Sequence, residues 1–296
     1  MDGLISGIKR MEIHDGDGLR TTVFFKGCSL KCVWCHNPES IDRKPALAFF
    51  KEKCVRCGLC LSVCPHGAIR FENGSEERID REKCVYCMEC GEACPTGALK
   101  PFGTKFTVEA LYEQVIQDRP FFESTGGGVT LSGGECLTQG RFAAAFAKKL
   151  CENGISVDVD TCGFVPWETI EEILPYTDTF LYDVKAVSPE VHRRCTGQDN
   201  ALILDNLRRL NERGARIEVR YPLVVGWNDG ECEKIAGLLS GLPAVTGVKV
   251  LRYHNFAASR YEALGMENTL PEPKTTEEDV EKAREVFRRH GVRVVE

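Results

Sequence analysis

The 296-residue sequence predicts an α/β fold built from parallel β/α units, with a small α+β module inserted near its start. From about residue 103 onward, short β-branched runs alternate with amphipathic stretches, the rhythm of a chain that returns to the same sheet after each helix. Residues 50–100 break that rhythm with a cysteine-rich internal repeat. The units number six to seven, short of the eight that close a full barrel.

In chain order, "RTTVFFKG" (20–27) is the first strand and delivers a three-cysteine loop from its C-terminal end. After the insert come strands at "GVTLS" (128–132), "ISVDVDT" (155–161), "TFLYDVK" (179–185), "RIEVRYPLV" (216–224) and "GVKVLRYH" (247–254), with "VRVV" at the end. Helices are expected at about 107–118, 140–153, 167–174, 200–213, 231–240 and 276–290. The expected division is a barrel domain from 1–49 and 101–296, interrupted by the module at 50–100.

The net charge of −6 and the absence of a basic run argue against nucleic acid as a partner. No apolar run approaches the length a spanning helix requires, so no membrane association is expected. The opening residues lack the apolar core of a secretory signal, so the expected location is cytoplasmic. Of the 16 cysteines, eleven fall in three tight clusters, while Cys136, Cys151, Cys162, Cys195 and Cys232 are scattered. A disulfide framework belongs to short secreted chains, so clustering at this density points to metal. The scattered five receive the default of small buried apolar residues.

The insert holds "EKCVRCGLCLSVCPHGAI" and, thirty residues later, "EKCVYCMECGEACPTGAL". Each half has the C-x2-C-x2-C-x3-C-P spacing of bacterial ferredoxins, in which the fourth cysteine ligates the other cluster. On that rule Cys54, Cys57, Cys60 and Cys94 hold one [4Fe–4S] cluster, and Cys84, Cys87, Cys90 and Cys64 hold the second. A pair of zinc sites is the alternative, because C-x2-C pairs serve both metals. The proline after each fourth cysteine, present twice, favours iron–sulfur.

The first loop, "GCSLKCVWCHNPES", places Cys28, Cys32 and Cys35 in C-x3-C-x2-C spacing, with Trp34 before the last. Three thiolates hold three irons of a four-iron cube and leave one open, as a catalytic metal site keeps a free position. The alternative completes a structural zinc site with a fourth ligand such as His36.

These strings resemble the radical S-adenosylmethionine (SAM) enzymes, and among them the activating enzymes of glycyl radical enzymes. "DGDGLRTTVFFKGCSLKCVWCHNPES", "GGGVTLSGGE", "YDVKAVSPEVHRRCTG", "RYPLVVGWND" and "LRYHNFAASRYEALG" follow that family's order from residue 15 to 265. The resemblance implies a partial (β/α)6 TIM-like barrel with a ferredoxin-like insert, three [4Fe–4S] clusters, and SAM chelated to the open iron of the Cys28, Cys32, Cys35 centre. It implies that an electron splits SAM to methionine and a 5′-deoxyadenosyl radical, which takes a hydrogen from a backbone glycine of a partner glycyl radical enzyme. Flavodoxin or ferredoxin is the implied electron donor.

By the same resemblance Gly133 and Gly134 let the backbone approach the methionine portion, and Glu135 accepts from its ammonium group. Asp160, Thr161 and Asp183 lie near SAM and help form a monovalent-cation site, with Lys185 beside the ligand. Arg220 and His254 contact SAM from later strand ends, and Trp34 belongs to the cofactor loop. A lone strand-end acid is usually just solvated and a single histidine is usually a satisfied core residue, so these roles rest on the matching strings. The alternative functions are a radical SAM enzyme acting on a small molecule and an iron–sulfur electron carrier, the latter leaving the three-cysteine loop without a purpose.

Overall fold

The computed structural model describes residues 1–70, 78–272 and 274–295; part of the expected insert, residues 71–77, lies outside them. Its strands are β1 (Asp2–Glu12), β2 (Arg20–Phe25), β3 (Ala46–Phe49), β4 (Leu99–Phe102), β5 (Thr104–Thr107), β6 (Gly128–Gly133), β7 (Ser156–Thr161), β8 (Thr179–Asp183), β9 (Ile217–Leu223), β10 (Val245–Arg252) and β11 (Val294–Val295). The helices are α1 (Leu59–Val63), α2 (Glu89–Glu92), α3 (Val108–Val115), α4 (Arg119–Thr125), α5 (Gly140–Glu152), α6 (Trp167–Ile173), α7 (Pro189–Thr196), α8 (Ala201–Glu212), α9 (Cys232–Leu239), α10 (Ala258–Leu264) and α11 (Glu277–Arg289).

The main sheet has the order β11-β10-β9-β8-β7-β6-β2-β1-β5. From β2 through β6, β7, β8, β9 and β10 to β11 every neighbouring pair is parallel. The strands are near-continuous apolar runs, as expected when helices cover one face of a sheet and a filled interior covers the other. Val129, Leu131, Val157, Val159, Val219 and Val248 are fully buried. The helices supply their share with helical spacing: α5 buries Phe142, Ala143, Phe146, Ala147 and Leu150 against this core. One cavity is lined from both β1 and β10, so the sheet curves around it. Its end strands, β5 and β11, do not pair with each other.

The chain begins with a strand that the sequence pattern does not predict. β1 runs antiparallel to β2 and β5, and register shifts interrupt its ladder with β2. Its second half stays largely exposed, so no period-two alternation marks it in the sequence. Three further short helices, α4, α7 and α10, are also absent from the expected set, each being seven or eight residues long. A segment that short shows barely two turns of periodicity. The insert leaves the sheet after β2: β3 and β4 form their own antiparallel pair, with Ala46 opposite Phe102, and α1 and α2 lie between. Leu47, Ile69, Ile79 and Leu99 form its small core together with Cys90.

At the base of the sheet Arg20 is buried, its Nη1 3.3 Å from Asp158 Oδ2. It also donates to Thr130 Oγ1 and to the Val129 carbonyl, so its fork is filled as a buried guanidinium requires. Among the described residues, no helix is long and apolar enough to cross a membrane.

Candidate active site

The loop carrying Cys28, Cys32 and Cys35 is clamped by backbone hydrogen bonds from distant parts of the chain. Gly27 and Cys28 donate to the carbonyls of Ser40 and Ile41, which close the loop on itself. Lys31 and Val33 donate to the carbonyls of Thr196 and Cys195, at the end of α7. Those are carbonyls a helix terminus leaves without intrahelical partners, so α7 holds the loop with groups it cannot use itself. Gly197 ends α7 in the left-handed conformation that frees them. On the far side Tyr261 Oη donates to the Cys35 carbonyl at 3.1 Å, and Arg260 Nη1 to the His36 carbonyl at 2.9 Å.

The loop forms one wall of a cavity of about 370 Å³ at the C-terminal ends of the strands, a size typical of small-molecule sites. Cys28, Cys32, Trp34 and Cys35 line it, together with Gly133, Gly134, Asp160, Thr161, Asp183, Lys185 and Arg220. The chain thus brings together most of the residues expected at the site. Burial pushes the Cys32 thiol up to about 12, and raises Cys35 as well. Cys28 is held below its ordinary value, first by a hydrogen bond from the Cys162 thiol. Three sheltered thiols with little solvent to stabilise their charged forms are a donor set suited to iron, which supplies the missing positive charge.

The opposite wall is ionic. Lys185 Nζ sits 2.5 Å from Asp183 Oδ2; burial alone would lower its pKa, but Asp183 and the neighbouring thiols outweigh it and raise it. Burial pushes the Asp160 carboxyl up to about 7 despite Arg220, and Ser132 Oγ donates to it at 2.6 Å. Arg220 donates to the His14 carbonyl and lies 3.5 Å from Asp15 Oδ1, while its Nε is buried with no hydrogen-bond partner among the described residues. Carboxylates, a lysine and a guanidinium fit a zwitterionic ligand with an amino acid head and hydroxyl groups.

Two expected residues stand differently. Glu135 is fully buried, and its carboxylate accepts from Leu137 N, Thr161 Oγ1 and Cys162 N at 2.8–3.1 Å. It therefore ties the ends of β6 and β7 together and is absent from the cavity wall, so in this arrangement it has no face for an ammonium group. The neighbouring glycines serve close approach. A Cβ on Gly133 would lie 2.3 Å from Phe25 N, and one on Gly134 2.5 Å from the Gly27 carbonyl. His254 stands behind the wall: its ring stacks on His36 at 4.3 Å and on Phe256 at 4.2 Å, and His36 takes the place beside the cavity. β10 ends at Arg252, before His254 is reached. Asp15, Asn37, Cys162 and Tyr253 line the cavity without having been singled out as ligands, as does His36, named only as a fourth ligand of the alternative zinc site. Asp15, the pair after Cys35 and Tyr253 lay inside strings that could have flagged them, and Cys162 directly follows the strand expected at 155–161.

In the insert, Cys54, Cys57, Cys60 and Cys94 surround one hollow. Burial raises Cys90 to about 11, and after burial the strongest influences are the thiols of Cys84, Cys64 and Cys87. Cys94 of the second half thus stands with three cysteines of the first, while Cys90 feels Cys64 and Cys60 as well as its own half's Cys84 and Cys87. The repeat is also conformational: Arg56 and Tyr86 have φ of 55° and 56°, and Gly58 and Met88 have 82° and 71°. Left-handed backbone at non-glycine residues costs energy and persists where surroundings dictate it; here it turns each loop inward. Backbone N–H groups of Leu30, Ala68 and Leu99 reach Cys28, Cys64 and Cys94 Sγ at 3.3–3.5 Å, a common way of stabilising cluster thiolates.

A radical SAM superfamily model matches residues 81–239, and a 4Fe-4S dicluster domain model matches 53–98. The three-cysteine loop precedes both spans. The chain is 39% identical to the trans-4-hydroxy-L-proline dehydratase activating enzyme of Clostridioides difficile, over 97% of this chain and 96% of that one. It is 40% identical to the isethionate sulfite-lyase activating enzyme of Desulfovibrio desulfuricans, over 91% and 89%. Streptococcus suis SuiB bound to precursor peptide SuiA shares the fold at a TM-score of 0.54 and 11% identity, covering 90% of this chain and 45% of that one. With that model over β6, β7, β8 and β9 and such relatives along nearly its whole length, the chain belongs to the radical SAM superfamily and, within it, to the activating enzymes of glycyl radical enzymes.

Proposed function

We propose that this chain activates a partner glycyl radical enzyme by generating a radical at one of the partner's backbone glycines. The observation that carries the reading is the shared cavity, with three sheltered thiols on one wall and Asp160, Asp183, Lys185 and Arg220 on the other. Cys28, Cys32 and Cys35 hold a [4Fe–4S] cluster with one iron open to SAM, and the insert holds two more. Bound there, the reduced cluster would supply one electron to the sulfonium of SAM, whose cleavage to methionine and a 5′-deoxyadenosyl radical would provide the species that takes hydrogen from glycine. Arg220 and Lys185 orient the carboxylate and hydroxyl oxygens of the ligand, and Gly133 and Gly134 bring backbone to its amino acid end. Asp160, Thr161 and Asp183 form a site for a monovalent cation. Glu135 and His254 act behind the wall, by fixing the β6–β7 ends and the His36 ring.

The curved sheet with unpaired ends is read as a partial (β/α)6 barrel, formed by 1–49 and 101–296 around a ferredoxin-like domain at 50–100. Its lateral opening admits the partner's glycine loop. Flavodoxin or ferredoxin supplies the electron, and the chain works in the cytoplasm. The relatives' names make dehydratases and carbon–sulfur lyases the first partners to try.

The test is anaerobic reconstitution, reduction, and incubation with SAM and a panel of such partners. A glycyl doublet in the electron paramagnetic resonance (EPR) spectrum and stoichiometric 5′-deoxyadenosine are expected. Cys32→Ala should lose about a third of the iron and all SAM cleavage. Deoxyadenosine formed with a small molecule and no protein radical would overturn the proposal.

A further inference from the structure

We propose that Arg78 makes the cluster held by Cys54, Cys57, Cys60 and Cys94 the more readily reduced of the insert's two. The inference rests on the cluster reading given above. Arg78 is buried, with its Nη2 3.8 Å from Cys54 Sγ and its guanidinium 5.4 Å from the centre of the Phe49 ring. Its Nη1 donates to the Arg70 carbonyl at 3.2 Å, which fixes the head in place. The side chain lines the hollow enclosed by that quartet.

Reduction adds one negative charge to a cluster. A cation held close, in a site with little water, stabilises the reduced form more than the oxidised one, and a hydrogen bond to a ligand sulfur acts in the same direction. The second quartet is placed differently: among the described residues the first receives the Arg78 guanidinium at Cys54 and the Leu99 N–H at Cys94, whereas the second receives the uncharged Ala68 N–H at Cys64. An electron entering the insert therefore settles beside Arg78.

Arg78 also lines the crevice between insert and barrel, with Phe50, Arg81, Glu262 and Ala263. Across that crevice lies α10, whose Tyr261 hydroxyl is bonded to the Cys35 carbonyl. Arg81, which precedes Cys84 of the other quartet, donates to the Ala263 carbonyl in the same crevice, so both halves of the repeat border α10.

The experiment uses the full reconstituted chain, titrated against electrode potential with each centre followed by EPR. Arg78→Gln should lower the midpoint of one insert centre and leave the other unmoved, and Arg78→Lys, which keeps the charge, should hold it near the parent value. In a Cys87→Ala background the Arg78→Gln shift should persist; in a Cys57→Ala background it should vanish. The proposal falls if Arg78→Gln moves neither midpoint or both equally, or if Arg78→Lys shifts it as far as Arg78→Gln. It falls equally if Arg78→Gln merely fails to bind that cluster. A parent chain whose insert binds no iron sinks the underlying reading as well, and iron content alone reveals that case.

Discussion

Glycine marks two opposite situations in this chain. Gly134 has no room for a side chain, because a Cβ there would meet the Gly27 and Ser40 carbonyls at 2.5 and 2.6 Å. Both obstacles are backbone of the cofactor loop, which cannot swing aside. Gly237 lies inside α9, and a methyl group there would meet nothing within 4 Å. Gly134→Ala should therefore destabilise the protein by about 1–3 kcal/mol, while Gly237→Ala should stabilise it by about 0.5–1 kcal/mol; denaturant unfolding midpoints of the two variants measure both. At this scale the sequence was most legible where chemistry dictates spacing. Cys28, Cys32 and Cys35 share a cavity with the acids at the ends of β7 and β8, and Cys54, Cys57, Cys60 and Cys94 share another hollow, since covalent spacing and strand period carry that information. Glu135 and His254 were less legible, because the direction of a side chain at a strand end is decided by neighbours remote in sequence, Thr161 and Cys162 for one and His36 for the other.

Among the elements, α10 touches more of the function than its seven residues suggest. One side grips the cofactor loop: Arg260 donates to the His36 carbonyl and to Asn37 Oδ1, and lies 3.1 Å from Glu39 Oε1, and Tyr261 holds Cys35. The other side meets the insert, where Arg81 donates to the Ala263 carbonyl and Lys51 pairs with Glu262. Removing the Arg260 fork should raise local opening of residues 35–40. Arg260→Ala is expected to speed hydrogen exchange there roughly tenfold, the equivalent of about 1.4 kcal/mol, with the α5 amides unchanged; unchanged exchange at 35–40 would show that the loop needs no such hold. α10, like α7, left little trace in the sequence. A short helix whose value lies in its ends and in long-range hydrogen bonds has neither length nor apolar period to announce it. The long helices were legible for the converse reason. α11 shows its Thr276–Asp279 capping box and its buried Val280, Ala283 and Phe287 in the sequence itself.

For the whole molecule, stability is tied to acidity through the Arg20–Asp158 pair beneath the sheet. Burial raises the Asp158 carboxyl to about 6, outweighing the attraction of Arg20. The folded chain then keeps this proton in a window, from about pH 4 to about pH 6, where the unfolded chain has lost it. Stability relative to Asp158→Asn should accordingly fall as pH rises through that window and level off above it; urea midpoints of the pair at four or five pH values would show the trend, and a gap that widened with pH would contradict it. The parallel topology was legible in the alternation of runs. The antiparallel flank of β1 and β5 was not, because strands at the margin of a sheet keep half their residues in water and lose the apolar signature of the centre.

The pairing of β3 with β4 sets Ala46 directly across from Phe102, so the iron-bearing excursion departs and returns at neighbouring points. Such a pendant can be excised or grafted without re-threading the strands on either side, which makes it an accessory that ancestors could gain or shed in one step. Shedding it would leave α10 with an uncovered apolar flank at Ala263 and Leu264, so a shortened version would need polar replacements there before it stayed in solution.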